Sequence, residues 1–537
     1  MGIPCGSSEG AASIPAVSTA GGSTPGFRPA GDEGRGSRFW LTRFLILRLL
    51  GLVYFFAFLS AARQVVPLIG SNGLTPASLW LREVAAALGS RFAGFMQFPS
   101  LFWIGASDSA LVWVAWLGAG LSLLLLAGCA NALLLAALWA LYMSFVHVGQ
   151  EWYGYGWEIQ LLETGFLAIF LCPLLDPRPF PRRPPPRAVL WLFRWLIFRI
   201  MLGAGLIKLR GDSCWRDLTC LDFHYLTQPL PNPLSPWFHF HPAVVHRLEV
   251  LYNHFVELVS CWFALAPDRW RRLRITGGIA MLAFQISLIL SGNLSFLNYL
   301  TIVPVLACFD DAFLRRFLPR QVGAAADHAA RAAAPSRAQS VAAAVLLALV
   351  ALLSVPVVLN LLSPQQVMNT SFDRLDLVNT YGAFGSVGRE RYEIVFEGTR
   401  DSVPDDAARW TAYEFPAKPG DPMRWPPVVA PFQPRLDWSI WFAAMSTPRE
   451  YPWTLHFVWK LLHGDRGALS LLANDPFPGT PPRWIRASYY RYEFAPRGDP
   501  SHAWWRRERL GDWLPPLSAT DPDLRQLAAA RGWRPAP

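Results

Sequence analysis

The stretch RWLIFRIMLGAGLIKLRGDSCWRDLTCLDFHYLTQPLPNPL (residues 194–234) decides how this chain folds. It begins with about twenty mostly apolar residues, enough to cross a hydrocarbon core as a helix, and runs into a polar loop. Arg194, Arg199 and Lys208 interrupt the apolar run. Because a charge inside a membrane costs about 2.5–3.5 kcal/mol on insertion scales, such residues pair with a partner or serve a function. The stretch therefore predicts a membrane helix with a polar role.

The composition of the whole chain is that of a membrane protein. Of its 537 residues 53% are hydrophobic, with 25 Trp and 35 Phe, which is too apolar for an ordinary soluble chain. The net charge of +10 does not indicate nucleic acid, because the arginines lie in short clusters between apolar segments. Of the seven cysteines, four lie inside apolar segments, so a disulfide framework is not the basis of the fold.

Apolar runs of near-spanning length predict an α-helical polytopic membrane protein with about nine spans. The predicted spans cover residues 41–61, 109–127, 129–148, 157–175, 188–208, 251–266, 273–291, 294–309 and 341–362. Residues 1–37, rich in Gly, Ser, Ala and Pro, are predicted to form a disordered tail. The other predicted domains are a bundle over 38–310 with an external loop at 210–250, a cytosolic linker at 311–340, the last span at 341–362 and an external domain at 363–537.

Arginine clusters orient the predicted spans. One cluster precedes the first span, and others separate the fourth span from the fifth, the sixth from the seventh and the eighth from the ninth. All of them lie on one side if the spans alternate, whereas the loops 149–156 and 291–293 on the other side contain no Lys or Arg. The positive-inside rule then places the N-terminus in the cytosol and residues 364–537 outside or in a lumen.

The carboxy-terminal part changes character and predicts a compact, soluble α+β domain that is rich in β-structure. Pro- and Trp-containing turns surround strand-like runs at 391–397 and 485–494, where apolar and aromatic residues alternate to one face. Residues 436–445 and 453–463 predict helices.

The predicted topology gives each polar side chain a depth, because a helix rises 1.5 Å per residue. Lys208 and Glu158 both lie at the outer surface, where they are able to meet. Glu163 and Arg199 lie about 9 Å and about 13 Å below that surface and form a second candidate pair. Other polar residues of the outer third are Asn253, His254, Glu257, Gln285, Asn293 and Asn298. A polar layer beneath the outer surface is therefore expected.

Two interpretations of this layer stay open. Its members could satisfy one another and fix the packing of the helices, as interhelical hydrogen bonds do. Alternatively, the layer could line a cavity open to the outside, in which Lys208 acts as a base and Glu158 is its neighbour. A partly buried lysine loses its proton more readily than an exposed one, which suits that role.

The external loop and the segment after the last span hold further candidate sites. Cys214 and Cys220 lie on the side where oxidation is allowed and predict either a short disulfide or two free thiols. The histidines within 224–254 match no familiar helical metal pair, so neither a metal nor another cofactor is predicted. Asn369 begins the sequence Asn-Thr-Ser, a glycosylation sequon on the predicted external side.

Several long runs of the chain resemble the lipase maturation factor family. They are WYGYGWEIQLLETGFLAIFLCPL (152–174), LIFRIMLGAGLIKLRGDSCWRDLTCLDFHYLTQPLPNPLS (196–235), NHFVEL (253–258), SGNLSFLNYLTIVP (291–304), VVLNLLSPQQVMNT (357–370), VNTYGAFGSVGRER (378–391) and RLDWSIWFAA (435–444). The resemblance covers nearly everything from Phe39 onward. It implies a multi-pass membrane protein of the endoplasmic reticulum that helps secreted homodimeric lipases, such as lipoprotein lipase, to fold and assemble. The carboxy-terminal domain would be its lumenal, client-facing part.

One departure from that family bears on where the protein acts. Animal members carry a cysteine on each side of the KPGD stretch, whereas here Ala417 precedes Lys418 and no cysteine follows. Together with the composition rich in Arg and Ala, this departure favours a bacterial source. The membrane would then be the cytoplasmic one, and the clients would be other exported proteins.

The run Gly205-Leu206-Ile207-Lys208 is also similar, more distantly, to the membrane domain of vitamin K-dependent carboxylases. In those enzymes a lysine at the end of such a helix serves as the base. The resemblance implies the same role for Lys208, which makes a membrane enzyme the alternative to a non-enzymatic maturation factor.

Overall fold

The computed structural model describes residues 38–534, and the predicted tail at 1–37 lies outside them. Within the described residues, five helices are long and apolar enough to cross a membrane. They are Trp40–Ile69, Asp108–Ala127, Arg187–Arg210, Asp268–Ser291 and Arg337–Leu362. The protein is thus a helical membrane protein, and a small sheet follows the last of these helices.

The helices before the sheet alternate between long spans and short connecting elements. In chain order they are α1 (Trp40–Ile69), α2 (Ala77–Ala87), α3 (Arg91–Gln97), α4 (Asp108–Ala127), α5 (Ala132–Val148), α6 (Gly156–Ile169), α7 (Arg187–Arg210), α8 (Ser213–Arg216), α9 (Leu221–Thr227), α10 (Ser235–His239), α11 (Ala243–His254), α12 (Cys261–Phe263), α13 (Arg271–Ser291), α14 (Leu297–Val305), α15 (Asp311–Leu314), α16 (Arg320–Arg331) and α17 (Arg337–Leu362). Single turns of 3-10 helix cover Leu101–Trp103, Gln150–Tyr153, Asp268–Trp270 and Leu306–Cys308, and a π-helical turn covers Phe255–Ser260.

The other predicted spans coincide with helices that are shorter than expected or interrupted. The helices Ala132–Val148 and Leu297–Cys308 are apolar but short, and α6 ends at Ile169, before Pro173. A proline removes a backbone donor and ends a helix, which accounts for that early stop. The predicted span at 251–266 begins earlier, at Ala243, and passes through the π-helical turn between α11 and α12.

Close backbone contact holds the first two long helices together. An ideal Cβ atom on Gly51 of α1 would lie 2.8 Å from the backbone nitrogen of Leu126 in α4. Gly118 of α4 faces the ring of Phe58 in α1, where a Cβ atom would lie 2.4 Å from a ring carbon. Small residues allow such approach in membrane helices, so both glycines are required by packing.

The arginine clusters between the described helices gather at one end of the bundle, which we call the arginine end. Arg271 and Arg274 bind Asp310, and Asp311 accepts hydrogen bonds from the backbone nitrogens of Trp40 and Leu41 at the start of α1. Arg183 donates to the carbonyl of Ala334. The segments predicted to share one side of the membrane are therefore in contact with one another.

The segment predicted to be a linker at 311–340 contains the helix α16. Gly323, Ala326 and Ala329 are buried along one side of this helix, which contacts α1. The small side chains allow a close contact, so this part of the predicted linker is an ordered element of the arginine end.

The carboxy-terminal domain contains one antiparallel sheet and helices on it. Its elements are β1 (Arg391–Thr399), β2 (Thr411–Ala412), α18 (Arg435–Ala443), α19 (Trp453–Leu462), α20 (Arg466–Leu469), β3 (Trp484–Phe494), β4 (Trp505–Ser518) and α21 (Pro522–Arg531). The strand order is β2-β1-β3-β4, with Arg391 opposite Tyr492 and Thr399 opposite Trp484. The predicted strands and helices of this domain are confirmed, and Phe396, Phe415 and Phe457 pack together in its core.

This domain contacts the end of the bundle opposite the arginine end, which we call the domain end. Asn72, just after α1, donates to Asp465, and Gln64 in α1 donates to the carbonyl of Gln433. The carboxy-terminal domain is therefore joined to the membrane helices through polar contacts.

Candidate functional site: a buried polar layer under the carboxy-terminal domain

The second predicted pair forms between α6 and α7. Arg199 donates to Glu163, and each side chain is 1% exposed. The other oxygen of Glu163 accepts from the hydroxyl of Tyr381 at 2.7 Å and from the backbone nitrogen of Asn379 at 3.1 Å. Arg199 also donates to the carbonyl of Asn379 at 2.8 Å. This buried pair therefore binds the segment after the last long helix to the bundle.

The predicted meeting of Glu158 with Lys208 is wrong. Glu158 accepts instead from Arg435 of α18 at 2.8 Å and from the hydroxyl of Tyr142 in α5. Glu158 lies in the first turn of α6 and Lys208 in the last turn of α7, but position along a helix does not fix the direction in which a side chain points. Glu158 points toward the carboxy-terminal domain, which supplies a guanidinium.

Lys208 lies in a separate cluster with α11 and the π-helical turn. Its ammonium donates to Glu257 and, at 3.1 Å, to the amide oxygen of Asn253. Asn253 in turn donates to the second oxygen of Glu257 at 2.7 Å. The ammonium lies 5.0 Å from the ring centroid of Trp215, and Lys208 is 3% exposed. A base needs a free lone pair within reach of a substrate, and this ammonium is enclosed by acceptors.

The remaining predicted members of the polar layer form separate contacts. Gln285 accepts from Asn298 at 2.9 Å, and a ring nitrogen of His254 lies 2.9 Å from the carbonyl of Trp215. Asn293 donates to the carbonyls of Pro231 and Pro427 at 3.1 and 2.8 Å. Hence Asn293 joins a bundle loop, the loop at 210–250 and the carboxy-terminal domain.

Several members of the layer were missed by sequence reasoning. Arg435, Asn379, Tyr381 and Tyr142 lie outside the charged apolar helices that drew attention to the site. The sequence around Arg435 does indicate a polar role, because Arg435 begins the run RLDWSIWFAA, an apolar helix with charges in its first turn. No spacing rule, however, connects that helix with α6.

Arg391 fastens the loop at 210–250 to the sheet. It is fully buried in β1 beside Glu393, to which it donates at 2.5 Å. Its other donors reach the carbonyls of Leu226 and Pro229, both at 2.9 Å. Lys418 lies 3.0 Å from the second carboxylate oxygen of Glu393, so this carboxylate contacts two cationic side chains. The loop and the domain are therefore joined by buried hydrogen bonds.

Cys214 and Cys220 are joined in a disulfide. The sequence allowed either a short disulfide or two free thiols, and the structure contains the disulfide. The bridge lies beside Trp215, whose indole nitrogen donates to the carbonyl of Phe384 at 2.8 Å. Asp212, at the base of the bridge, accepts from Arg389 at 2.9 Å. The disulfide thus holds a turn that contacts both Lys208 and the segment after the last long helix.

Two histidines of the loop, His241 and His246, are bound by protein groups. Nδ1 of His246 lies 2.7 Å from Asp222, and Nε2 lies 3.0 Å from the carbonyl of Phe238. His241 and Glu249 come close enough to His246 to share an ion, but both ring nitrogens of His246 already have partners. Burial and, secondly, the charge of Lys208 lower the pKa of His224 to about 4, so this residue is neutral at pH 7.

Asn369, the predicted glycosylation residue, is exposed on the segment after α17. Its side-chain oxygen accepts a long hydrogen bond, 3.4 Å, from the backbone nitrogen of Gly382. The amide is therefore at the surface near the domain end.

Together these contacts define a class of protein: a helical membrane bundle whose buried ion pairs fasten an α+β domain at one end. The sequence places the chain more narrowly. The lipase maturation factor transmembrane domain matches residues 41–316, and the lipase maturation factor C-terminal domain matches residues 377–515. The chain belongs to the lipase maturation factor family.

Full-length relatives support this membership. The chain is 51% identical to lipase maturation factor 1 of Bos taurus, over 93% of this chain and 92% of the bovine protein. It is 50% identical to lipase maturation factor 1 of Homo sapiens, over 95% and 93% of the two chains. Lipase maturation factor 2 of Xenopus laevis is 31% identical over 93% of this chain and 85% of its own. No solved structure matches the chain.

Proposed function

We propose that this protein is a membrane-embedded maturation factor that assists the folding and assembly of secreted lipases. The observation that carries this proposal is the 51% identity to bovine lipase maturation factor 1 over nearly the whole of both chains. Its clients would be homodimeric lipases of the lipoprotein lipase type. It would hold partly folded clients in a chaperone-like manner and catalyse no chemical step of its own.

The geometry of the polar layer favours a structural role for the bundle, in which its helices hold the carboxy-terminal domain in place. The ion pairs Arg199–Glu163 and Arg435–Glu158 connect the membrane helices with the carboxy-terminal domain. Lys208, the base in the alternative enzyme interpretation, is 3% exposed and bound to Glu257. A buried polar network of this kind fixes an arrangement of helices.

The topology we propose has about nine spans, an N-terminus in the cytosol and a carboxy-terminal domain on the opposite side. The gathering of arginines at the arginine end supports it. The helix from Ala243 to Phe263 adds further support, because exposed apolar side chains recur every three or four residues along it, as on a helix that faces lipid. They are Val244, Leu248, Leu251, Phe255, Val259 and Trp262.

In a eukaryotic cell the opposite side is the lumen of the endoplasmic reticulum, and in a bacterium it is the outer face of the cytoplasmic membrane. The exposed sequon at Asn369 tests this placement in eukaryotic cells. A glycan removable by endoglycosidase H is expected on the wild-type protein and not on Asn369→Gln. Asn293 begins a second sequon but is 1% exposed, so Asn293→Gln should keep the glycan. A wild-type protein without a glycan, in cells that glycosylate a lumenal reporter, would contradict the placement.

Exposed apolar side chains on the two sides of the junction between the loop at 210–250 and the carboxy-terminal domain are our candidate for the client-binding surface. It consists of Trp237 and Phe240 from the loop at 210–250 and Met423, Trp425 and Val428 from the carboxy-terminal domain. Asn293 joins the two parts by its contacts with Pro231 and Pro427. We call these five residues the client patch. Contiguous exposed apolar surface rimmed by polar residues is typical of a site that binds another protein.

The function is tested by co-expressing the full chain with a lipoprotein-lipase-type enzyme in cells that lack their own maturation factors. The wild-type protein should raise the activity of the secreted lipase per lipase molecule. The double variant Met423→Ser/Val428→Ser should lose most of this effect and the co-purification of the lipase, at an unchanged level of factor. The control Val403→Ser/Leu510→Ser changes two other exposed apolar residues outside the client patch and should retain both the activation and the co-purification of the lipase.

Two results would contradict parts of this proposal separately. A wild-type protein that leaves the specific activity of the lipase unchanged would argue against lipase maturation. A client-patch variant that behaves like its control would leave maturation intact and exclude the client patch as the binding surface.

A further inference from the structure

The segment between α1 and α4 exposes apolar side chains that neither the family nor the proposed function explains. The helices α2 and α3 and the turn Leu101–Trp103 form a hairpin, which we call the apolar hairpin (residues 77–104). Its exposed large apolar residues are Leu79, Leu88, Phe92, Phe95, Met96, Leu101 and Ile104. Phe92 is 73% and Ile104 88% exposed. A soluble protein rarely leaves such residues together in water.

The apolar hairpin is an ordered element that is held by internal hydrogen bonds and side-chain packing. The hydroxyl of Ser90 caps α3 by accepting from the backbone nitrogen of Ala93 at 3.0 Å. Trp103 packs against Gly94, where a Cβ atom would lie 2.3 Å from its ring, and its indole donates to the carbonyl of Phe98 at 2.9 Å. The side chain of Arg91 donates to the carbonyl of Trp103. The exposed apolar residues are thus held outward by an ordered scaffold.

The two ends of the apolar hairpin fix its height relative to the bundle. At its start, Thr75 accepts from the side chains of Gln150 and Trp152 at 3.0 and 2.7 Å, just beyond the end of α5. At its return, the backbone nitrogen of Leu101 donates to the hydroxyl of Ser144 at 3.0 Å. Ser144 precedes the end of α5 at Val148 by about one turn, or about 6 Å. The return therefore reaches below the end of the bundle.

The apolar surface of the hairpin continues into that of a long membrane helix. Ile104 stands a few residues before α4, and Trp113, in the second turn of α4, is 74% exposed. Tryptophan at such a depth is typical of the interface between water and lipid. Asp108 ties the start of α4 to the end of α1 by accepting from the backbone nitrogen of Ser71 at 2.6 Å. Both flanking helices thus place the hairpin at the edge of the bilayer.

We infer that the apolar hairpin inserts into the membrane leaflet at the domain end, with Phe92, Leu101 and Ile104 among the acyl chains. The chemical class of its partner is a phospholipid monolayer. Exposed polar residues of α2, Arg82 and Glu83, remain at the headgroups and in water. Interfacial elements of this kind lie with their apolar side about 5–10 Å into the boundary between headgroups and acyl chains. The inference rests on α1 and α4 crossing the membrane and does not depend on which lipases the protein assists.

The inference is tested with the full chain in phospholipid nanodiscs and site-directed spin labels. Cys5→Ala and Cys129→Ala first remove the tail thiol and the exposed one. Single cysteines are then placed at Phe92 and Ile104, with Glu83→Cys as the control for water and Trp113→Cys as the control for lipid. Power saturation compares collisions with oxygen, which concentrates in lipid, and with a water-soluble nickel chelate.

Labels at Phe92 and Ile104 should resemble the label at Trp113, with oxygen collisions at least severalfold favoured over nickel, whereas the label at Glu83 should show the reverse. Nickel accessibility at Phe92 and Ile104 equal to that at Glu83 would overturn the inference. Protection of both positions from both reagents would also overturn it, because it would mean that a protein surface covers the hairpin. Labelled variants are compared at equal elution volume, so that misfolding is excluded before the measurement.

Discussion

Arg435 of α18 and Glu158 of α6 form an ion pair at 2.8 Å although they are 277 residues apart, and neither side chain is exposed. The pair connects the carboxy-terminal domain to a membrane helix inside the protein. Tyr142 of α5 also donates to Glu158, so three elements meet at one carboxylate. The attachment of the domain thus depends on a charge that would be costly without its partner.

Removing one member of this pair should be more harmful than removing both. Arg435→Gln leaves a buried carboxylate without its counter-charge and should cost about 3–5 kcal/mol in the free energy of unfolding. Glu158→Gln/Arg435→Gln removes both charges and should recover a large part of that loss. A double-mutant cycle by unfolding in mixed micelles measures the coupling. The exposed pair Arg491–Glu508 serves as the control and should couple by less than about 1 kcal/mol.

Substitutions of Lys208 and Glu257 distinguish a structural role of this ion pair from a catalytic one. Lys208→Met leaves Glu257 buried and unpaired, so folded protein should fall severalfold, in keeping with a loss of about 3–5 kcal/mol. In Lys208→Met/Glu257→Gln the charge is gone from both sides, and we expect both the protein level and the lipase-directed activity to return. The measurement is secreted lipase activity per folded factor. A double variant with a normal protein level and no activity would restore the enzyme interpretation.

The contacts of the site that could be predicted from the sequence are those between neighbouring helices, and the others join parts of the chain that are far apart in sequence. The pair Arg199–Glu163 follows from apolar runs and helical rise, because depth alone brings two charges to one level on neighbouring helices. Lys208 and Glu158 lie near helix ends, as expected, but each has another partner, because the rotation of a helix about its axis is set by packing. The contact of Arg435 with α6 depends on how a distant domain docks, which no local pattern encodes. Likewise, α16 has an Ala-rich sequence typical of a linker, and only its contact with α1 makes it part of the fold.

The disulfide should stabilise the turn that carries Trp215. For the short loop between Cys214 and Cys220, loop-closure entropy predicts a contribution of about 2 kcal/mol. Cys214→Ser/Cys220→Ser should therefore raise the rate of proteolysis within the loop at 210–250 and leave the carboxy-terminal sheet protected. Limited proteolysis with mass spectrometry measures both regions in one sample. Cys172→Ser, which changes a buried free thiol at a distance from the loop, is the control. Unchanged cleavage of the loop in the double serine variant would show that the bridge adds no stability.

His456 should make the attachment of the carboxy-terminal domain sensitive to acid. Nδ1 of its ring lies 2.8 Å from the carbonyl of Leu74, and the ring stacks on Trp533 at 4.5 Å between centroids. Among the described residues, buried Nε2 has no partner, so a proton placed there would find no acceptor. Burial is the main reason why the pKa of His456 is lowered to about 4 from its ordinary 6.5.

The sign of the effect follows from proton binding. Between pH 6.5 and pH 4 the unfolded chain binds a proton at His456 that the folded protein does not, so stability is complete above pH 6.5 and falls as the pH decreases. The loss is about 1.4 kcal/mol per pH unit across that window.

His456→Phe keeps a ring against Trp533 and cannot titrate. Its stability should be lower than that of wild type near pH 7.5, because the bond to Leu74 is gone, but it should fall less steeply with acid. His224 remains in the variant, so part of the acid sensitivity persists. The midpoint of thermal unfolding at pH 7.5 and pH 5.0 gives the comparison, with His328→Gln on the exposed side of α16 as the control. An equal shift between the two pH values in wild type and His456→Phe would mean that His456 takes up its proton in the folded state.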